Sequence, residues 1–446
     1  KGWPEGSWIP FVHVSPHSPD EVYVVANNYR RNDWNPYLYR TMDGGKSWKR
    51  LVYGEDVPAH AQCVLQDPEA ADLLFLGTEE GLYFSVDRGA NWRHWAHDVP
   101  AVPVRDMAIQ AREGDLVLGT FGRAAYVIED LAPLRALANE GAALLNETLR
   151  VFDAATGYQT PRPRPAGSRF MADHVWEGSN RLREAHGHVF IQPDTAEVHE
   201  EMKVVILGAG GDTLRQLTRD VEKGWQTFAW RGDTDGVKWP SREVDTSDEP
   251  VGGGTRVPPG TYTAVLTLGT HVDTMTMTVA HDPRLEFDEA AYTSASEHVE
   301  EVHGEVERLS NLMQELAVAQ ETMKTMNGLW TLLGDSTTTE LDSLQADMGK
   351  GISAIQDMLW TPEDFVGYDH VTVRVMGRLY DAMPNMLQGA TANDARKLEI
   401  ARQAIDEVEM EVRSLMDGTW QDMLRVARGL DITVDGVLEG VVRPEE

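Results

Sequence analysis

The sequence predicts a fold that is mainly β plus α: a partial β-propeller, then a β-sandwich, then a C-terminal helical bundle. Three observations predict it. The pattern Ser/Thr-x-Asp-x-Gly-x-x-Trp occurs twice, as Thr41-Met-Asp43-Gly-Gly45-Lys-Ser-Trp48 and Ser85-Val-Asp87-Arg-Gly89-Ala-Asn-Trp92. Self-similarity at about 40–50 residues, with several strands per unit, is the signature of propeller blades. Short β-prone runs between turn residues then fill 170–281, and apolar residues at helical spacing fill 284–446.

Each copy of the pattern follows a β-prone run, at 36–40 and 81–84, with another upstream at 21–26 and 72–77. The Asp folds a tight turn by accepting backbone N–H bonds, and Gly supplies a backbone conformation that a Cβ resists. The Trp packs the outgoing strand on its neighbour. Loops Asp56-Val-Pro-Ala59 and Asp98-Val-Pro-Ala101 repeat after each Trp. A third unit reads as strands at 106–109, 115–120 and 125–128, but Val127 replaces its Ser and Leu134 its Trp, so its box has decayed. Residues 1–134 therefore read as the last two to three blades. Fewer than three blades cannot close a ring and would leave sheet edges and faces open. The expectation is that the remaining blades precede Lys1, on a removed or separate segment.

These turns resemble the Asp-box (BNR) repeat of sialidase-like and sortilin-like propellers. The run from Pro100 to Arg123, ending in Glu129-Asp-Leu-Ala-Pro-Leu134, resembles the last blade of large exported bacterial proteins of the sortilin-like or glycosyl-hydrolase-like BNR type. Family members often carry His where this chain has Phe121, so a role for that His does not carry over. The resemblance implies an extracellular or periplasmic protein, associated with the cell surface, with its signal peptide on the missing N-terminal part.

Composition fits that class. A chain of 446 residues is long for one domain, and 41% hydrophobic content suffices for several cores. A net charge of −32 disfavours nucleic acid, whose binding rests on neutralising phosphates. No apolar run approaches the roughly 20 residues of a membrane span. Cys63 is the sole cysteine, so no intrachain disulfide forms.

Residues 135–169 read as a connector, with a short helix at 134–149 and a proline-stiffened stretch Thr160-Pro-Arg-Pro-Arg-Pro165. Strands are expected at 204–207, 214–217, 226–230, 260–268 and 274–279. Val257-Pro-Pro-Gly260-Thr-Tyr262, with Trp230 and Asp235-Gly236, resembles the FlgD-type Ig-like module. Residues 245–254 form a polar, Gly-rich loop. In the last segment Val299, Val302, Val306, Leu309, Leu312 and Leu316 mark one helix face. Leu341, Leu344, Met348, Ile352, Ile355 and Leu359 mark a second, and Leu398, Ala401, Ile405, Val408, Val412 and Leu415 a third, with a weaker helix at 370–387.

The box residues Thr41, Asp43, Gly45, Trp48, Ser85, Asp87, Gly89 and Trp92 are structural, because their turn lies on the face opposite the usual ligand face of a propeller. The ligand face takes the loop from Asn27 to Pro36, read as a long insertion carrying Tyr29, Arg30, Arg31, Asp33 and Trp34. His60, Glu79, Glu80, Arg105, Asp106, Phe121 and Arg123 belong to loops of that face. Aromatic, Arg and carboxylate side chains suit a peptide, protein or glycan through stacking and charge-assisted hydrogen bonds. No metal or cofactor is expected. His186-Gly-His188, with His199, Glu200 and Glu201, reads as surface histidines of the sandwich. His13-x-x-x-His17 contains Pro16 and cannot be a helical metal pair, and His94-x-x-His97 is a loop pair. Leu207-Gly-Ala-Gly-Gly-Asp212 is a hairpin turn, and Met313, Met323, Met326, Met348 and Met358 fill the bundle core.

The leading expectation is a scaffold-like binding protein completed by an N-terminal propeller segment or chain. The alternative is a glycoside hydrolase, sialidase-like or xyloglucanase-like, which needs two carboxylates about 5–9.5 Å apart. Glu79, Glu80 or Asp106 could supply one. A third option is a subunit of an assembly, with the bundle as its interface.

Overall fold

A computed structural model describes residues 3–160, 182–192, 201–245, 251–333, 339–362, 374–386 and 388–429. The first sheet is an antiparallel meander, β1 (Trp8–Val14), β2 (Val22–Asn28), β3 (Asp33–Thr41) and β4 (Lys49–Arg50), in that order. The second repeats it with β5 (Ala61–Gln66), β6 (Leu74–Thr78), β7 (Gly81–Ser85) and β8 (Arg93–His94). Alternation along the strands gives each sheet two apolar faces, as a stack of sheets requires. Tyr23, Val25 and Leu38 of the first sheet share a core with Val64, Leu74, Leu76 and Tyr83 of the second. Cys63, Phe75 and Leu82, on the other face of the second sheet, share one with Val104, Met107, Leu116 and Leu118.

The third sheet has three strands, β9 (Val104–Gln110), β10 (Asp115–Thr120) and β11 (Ala125–Ile128). Where the first two sheets make a box turn and a fourth strand, Asp130 takes a φ of 54° and α1 (Ala132–Glu140) begins. The Asp130 carboxylate accepts the Ala132 amide, and Pro133 at the helix start has no N–H to satisfy. Arg135 of α1 reaches back to the buried Asp67 at 3.0 Å, tying the helix to the second sheet.

The turn from Asn27 to Pro36 is not a long insertion. Asn28 pairs with Asp33 across the hairpin, and Tyr29–Arg31 forms a single 3-10 turn. Asn32 closes it at φ 61°, a conformation that Asn tolerates better than most residues. Asp33 and Trp34 are therefore strand residues.

Residues expected to be connector contribute strands. β12 (Leu149–Val151) joins β14 (Ala185–Ile191) and β17 (Gly224–Trp230) in a three-stranded sheet. β13 (Gly157–Gln159) edges a five-stranded sheet with β21 (His271–His281), β20 (Gly260–Leu268), β15 (Glu201–Leu207) and β16 (Thr213–Asp220). Val189, Ile191, Phe228 and Trp230 of the first share one core with Val204, Ile206, Leu266 and Met275 of the second. The glycines between β15 and β16 make the expected hairpin turn, Gly208 N–H donating to the Asp212 carbonyl at 2.8 Å. A short ribbon of β18 (Asp233–Asp235) and β19 (Gly253–Arg256) follows β17. Residues 161–165 of the proline-rich stretch lie outside the described residues.

The C-terminal part is helical: α2 (Glu289–Leu333), α3 (Thr339–Leu359), α4 (Val375–Ala382), α5 (Ala392–Leu415) and α6 (Gln421–Gly429). The predicted stripes meet in one core, including Val302, Leu309, Met348, Ile355, Ile405 and Val412. Met313 and Met326 are buried there, with Met323 and Met358 packed against it. A capping box starts α5, where Thr391 accepts the Asp394 amide and Asp394 accepts that of Thr391. Arg402 joins α5 to α2 through Glu301 at 2.9 Å and Glu305 at 3.0 Å. The weaker helix is α4; residues 370–373 and 387 of that expectation lie outside the described residues. No helix among the described residues is long and apolar enough to cross a membrane.

Candidate functional site

An antiparallel meander puts its first and third turns at one end and its second turn, with the entry to the next sheet, at the other. The two boxes occupy the first of these ends. In one, the Thr41 hydroxyl donates to Asp43 at 2.7 Å and accepts the Gly45 amide at 2.9 Å, while Asp43 also accepts the Ser47 amide and hydroxyl. Ser85, Asp87, Gly89 and Asn91 repeat the arrangement. Gly45 and Gly89 adopt φ of 90° and 80°. Trp48 Nε1 donates within its own turn to the Gly45 carbonyl, whereas Trp92 Nε1 crosses to the Leu51 carbonyl at 3.1 Å and so joins the first two sheets. The Ser47 hydroxyl and amide, with Thr41, hold the Asp43 carboxyl at about 2. Burial raises Asp87, but hydrogen bonds from Asn91, Ser85 and the backbone outweigh it and its pKa is lowered. Both carboxylates are engaged within their turns, Asp43 by three hydrogen bonds and Asp87 by four.

The opposite end gathers most of the sequence-derived candidates into one cluster. The Tyr29 ring stacks on the buried His60 imidazole, centroids 5.0 Å apart, and Trp34 meets the same imidazole edge-on at 5.6 Å. Arg30 lies over Trp8 at 5.2 Å and over Tyr29 at 5.6 Å. Glu79, in the turn between β6 and β7, accepts from Gln62 at 2.8 Å and stands 3.4 Å from Arg105 on β9. Arg105 donates to the Gln62 side-chain oxygen at 2.8 Å and lies over the Phe121 ring at 5.6 Å. The cluster draws on all three sheets.

Gln62 fixes the chemistry of its neighbours. Arginine only donates, so the amide oxygen faces Arg105 and the amide nitrogen faces both Glu79 and His60 Nε2, the latter at 2.8 Å. His60 Nε2 must then accept, which makes this imidazole neutral with its proton on Nδ1. The 3.6 Å approach of His60 to Glu79 is thus not an ion pair. Burial, which pushes the His60 pKa down, agrees with that assignment, with Glu79 opposing and Arg105 adding.

Five candidates stand apart. Asp33 is consumed by its own hairpin, accepting from Asn35 and from the Tyr37 hydroxyl, both at 2.8 Å. Burial raises its pKa, but those bonds outweigh it and the net direction is down. Asp106 accepts the Met107 amide. The Arg31 guanidinium packs against Gly6, where an added Cβ would strike it. Arg123 and Glu80 are exposed at the rim. Gln62 and Trp8 went unrecognised in the sequence, because only the fold brings them to His60 and Arg30.

The histidine pairs are structural. His13 Nε2 accepts the Gln66 amide and His17 Nε2 bonds the Asp67 carbonyl, both joining the first sheet to the second. His186 is buried rather than on the surface, its Nδ1 2.8 Å from the Glu184 carbonyl, and His188 stands 3.4 Å from Asp130. His186 is bridged by Ala155 of the preceding segment, and His188 meets Asp130 at the end of the third sheet. His199 and Glu200 lie outside the described residues. Among the described residues no group of three or more His, Cys, Asp or Glu side chains is placed to hold a metal ion.

No protein-family model matches this chain, and no curated protein matches it. Among solved structures it is similar to YCF48 bound to D1 peptide, at 10% identity over 60% of this chain and 67% of that one, with a TM-score of 0.20. It is similar to an ancestral GH74 enzyme at 12% identity over 62% of this chain, TM-score 0.21, and spans only 35% of that enzyme's length. The alpha-L-arabinanase of Penicillium chrysogenum complexed with arabinobiose is similar at 14% identity over 62% of this chain and 82% of that one, TM-score 0.21. The strand order and register of this chain itself establish a series of sheets, antiparallel except where β13 pairs in parallel with β21, followed by a helical region.

Proposed function

We propose that this chain is the C-terminal part of an Asp-box propeller protein, followed by an Ig-like sandwich and a helical bundle, and that it binds a polypeptide on its turn face. The observation that carries this reading is the cluster around Gln62. It holds Tyr29, Trp34, Arg30, Arg105 and Phe121 in place while Trp34 and Phe121 stay 54% and 69% exposed. Fixed but exposed Trp, Tyr and Arg side chains are the composition of binding hot spots. Hydrolysis is less well served, since Glu79, the carboxylate of the cluster, is already engaged by Gln62 and Arg105. Among the described residues of α5, exposed Ile400 and Met410 are separated by Gln403, Asp406 and Glu407, so that face carries charge rather than an apolar stripe.

The test is to select displayed random peptides on the purified chain and to probe a glycan array in parallel. Selected peptides should bind Trp34→Ala and Arg30→Ala at least about tenfold more weakly. Glycan hydrolysis that Glu79→Gln abolishes would instead establish the hydrolase.

The same reading includes a further blade seated before the first sheet. Strand pairing aligns Val12, opposite Val24, with Val64, opposite Leu76. Val64 is fully buried by the preceding sheet, whereas Val12 and Val14 are each 57% exposed. A sheet of the same kind, from a separate segment or chain, fits that face. Native mass spectrometry with peptide mapping, on material purified without denaturant from its source, should find an Asp-box-rich fragment bound. A lone 49.7 kDa species would overturn this part.

A further inference from the structure

We infer that the two-sheet region holds a second ligand site, a pocket of about 280 Å³ that takes a small molecule through a carboxylate or phosphate oxyanion. It lies between β13, the start of β14 and the turn from β17 to β18, away from the turn-face cluster. Arg183, Arg231 and Arg256 all line it. In a chain of net charge −32, three guanidinium groups around one small cavity run against the general balance.

The charges nearby offset them only in part. Asp233, at the pocket wall, is paired first with Arg215 at 2.8 Å, both side chains being largely buried, and it acts on Arg231 and Arg256 through the field alone. Glu184 is the other carboxylate of the lining, and it approaches Arg231 only to 4.0 Å. Arg231 is 80% exposed at its side chain, so packing does not employ it. The Arg183 guanidinium makes one long bond, 3.3 Å, to the Thr160 hydroxyl, while its backbone amide donates to Glu184. Among the described residues no hydrogen bond engages the guanidinium of Arg231 or Arg256. Arg256 is instead fixed by its backbone, whose carbonyl accepts the Tyr292 hydroxyl.

Guanidinium forks match the planar or tetrahedral oxygens of carboxylate and phosphate. Distant carboxylates of the chain are screened within about 10 Å at 0.1 M salt, so the local arginines set the potential that a ligand meets. The volume lies at the small end of ligand pockets and suits a sugar acid or sugar phosphate rather than a polymer segment.

Isothermal titration of the full chain with glucuronate, glucose 6-phosphate and inorganic phosphate tests this, with glucose as the uncharged control. At least one oxyanion probe should bind and glucose should not; the stronger of the carboxylate and phosphate arms identifies the head group. The double variant R231Q/R256Q should weaken binding at least about tenfold. R219Q, an exposed arginine elsewhere in the same sheets, should leave it unchanged. Circular dichroism verifies that the variants fold. Failure of every oxyanion probe to bind, or equal binding by the double variant, overturns the proposal.

Discussion

Trp230→Ala is expected to remove about 3–5 kcal/mol of stability from the two-sheet region, the largest loss from any single truncation there. Trp230 ends β17 and is 1% exposed between the sheets. Its ring meets Tyr262 edge-on, centroids 5.1 Å apart at 74°, which links the three-stranded sheet to the five-stranded one. Its Nε1 donates to the Asp233 carbonyl at 2.8 Å, so the truncation leaves both a cavity and a buried acceptor without its donor. Trp230→Phe separates these terms: it keeps most of the buried ring and loses the hydrogen bond, for a loss of about 0.5–1.5 kcal/mol from the bond itself. Urea unfolding followed by far-ultraviolet circular dichroism measures both. A loss under about 1 kcal/mol for the alanine variant would mean that the two sheets do not close over this side chain.

The parts of this architecture legible in the sequence are those where one residue type has one physical use. Asp43 and Asp87 had to accept their own turns' N–H groups, and the structure places them so. The helical stripes worked because α2, α3 and α5 each bury a single face in one shared core. The decayed third box was also informative, since α1 stands where the missing Trp and fourth strand would be. What escaped notice was short or depended on tertiary contact. β12 and β13 span three residues each, too few for a period to show. β14 reads Ala-His-Gly-His-Val-Phe-Ile, and its histidines suggested an exposed strand although His186 is buried. The turn at Tyr29–Arg31 looked longer than it is because Asp33, Asn35 and Pro36 are polar or turn-prone residues placed in a strand. Gln62 shows nothing by itself; its role exists only once Arg105, Glu79 and His60 surround it.

Gly77→Ala should disturb the binding cluster and the packing of the second and third sheets together. Gly77 sits in β6, and a Cβ there would lie 2.5 Å from Cys63 Sγ and 2.8 Å from the Val104 carbonyl oxygen. The second contact is backbone, so rotating a side chain cannot relieve it and β9 must move away. Overpacking of this kind typically costs about 1–3 kcal/mol. Val104 precedes Arg105, so the same displacement pulls the guanidinium from Gln62 and Glu79, and affinity for selected peptides should fall in parallel. Removing the sulfur in Cys63→Ala/Gly77→Ala should restore part of the stability but not all, because the Val104 carbonyl remains in the way. A double-mutant cycle measures that coupling between touching residues. Cys63 supplies an independent readout. It is the sole cysteine and is buried between the sheets, where burial first, and Asp106 next, pushes its thiol up to about 12. A thiol so protonated and covered reacts slowly, since the thiolate is the nucleophile. Alkylation of the native chain should therefore be slow, and faster in Gly77→Ala as the sheets part. Unchanged stability together with an unchanged labelling rate would show that the second and third sheets do not meet at this glycine.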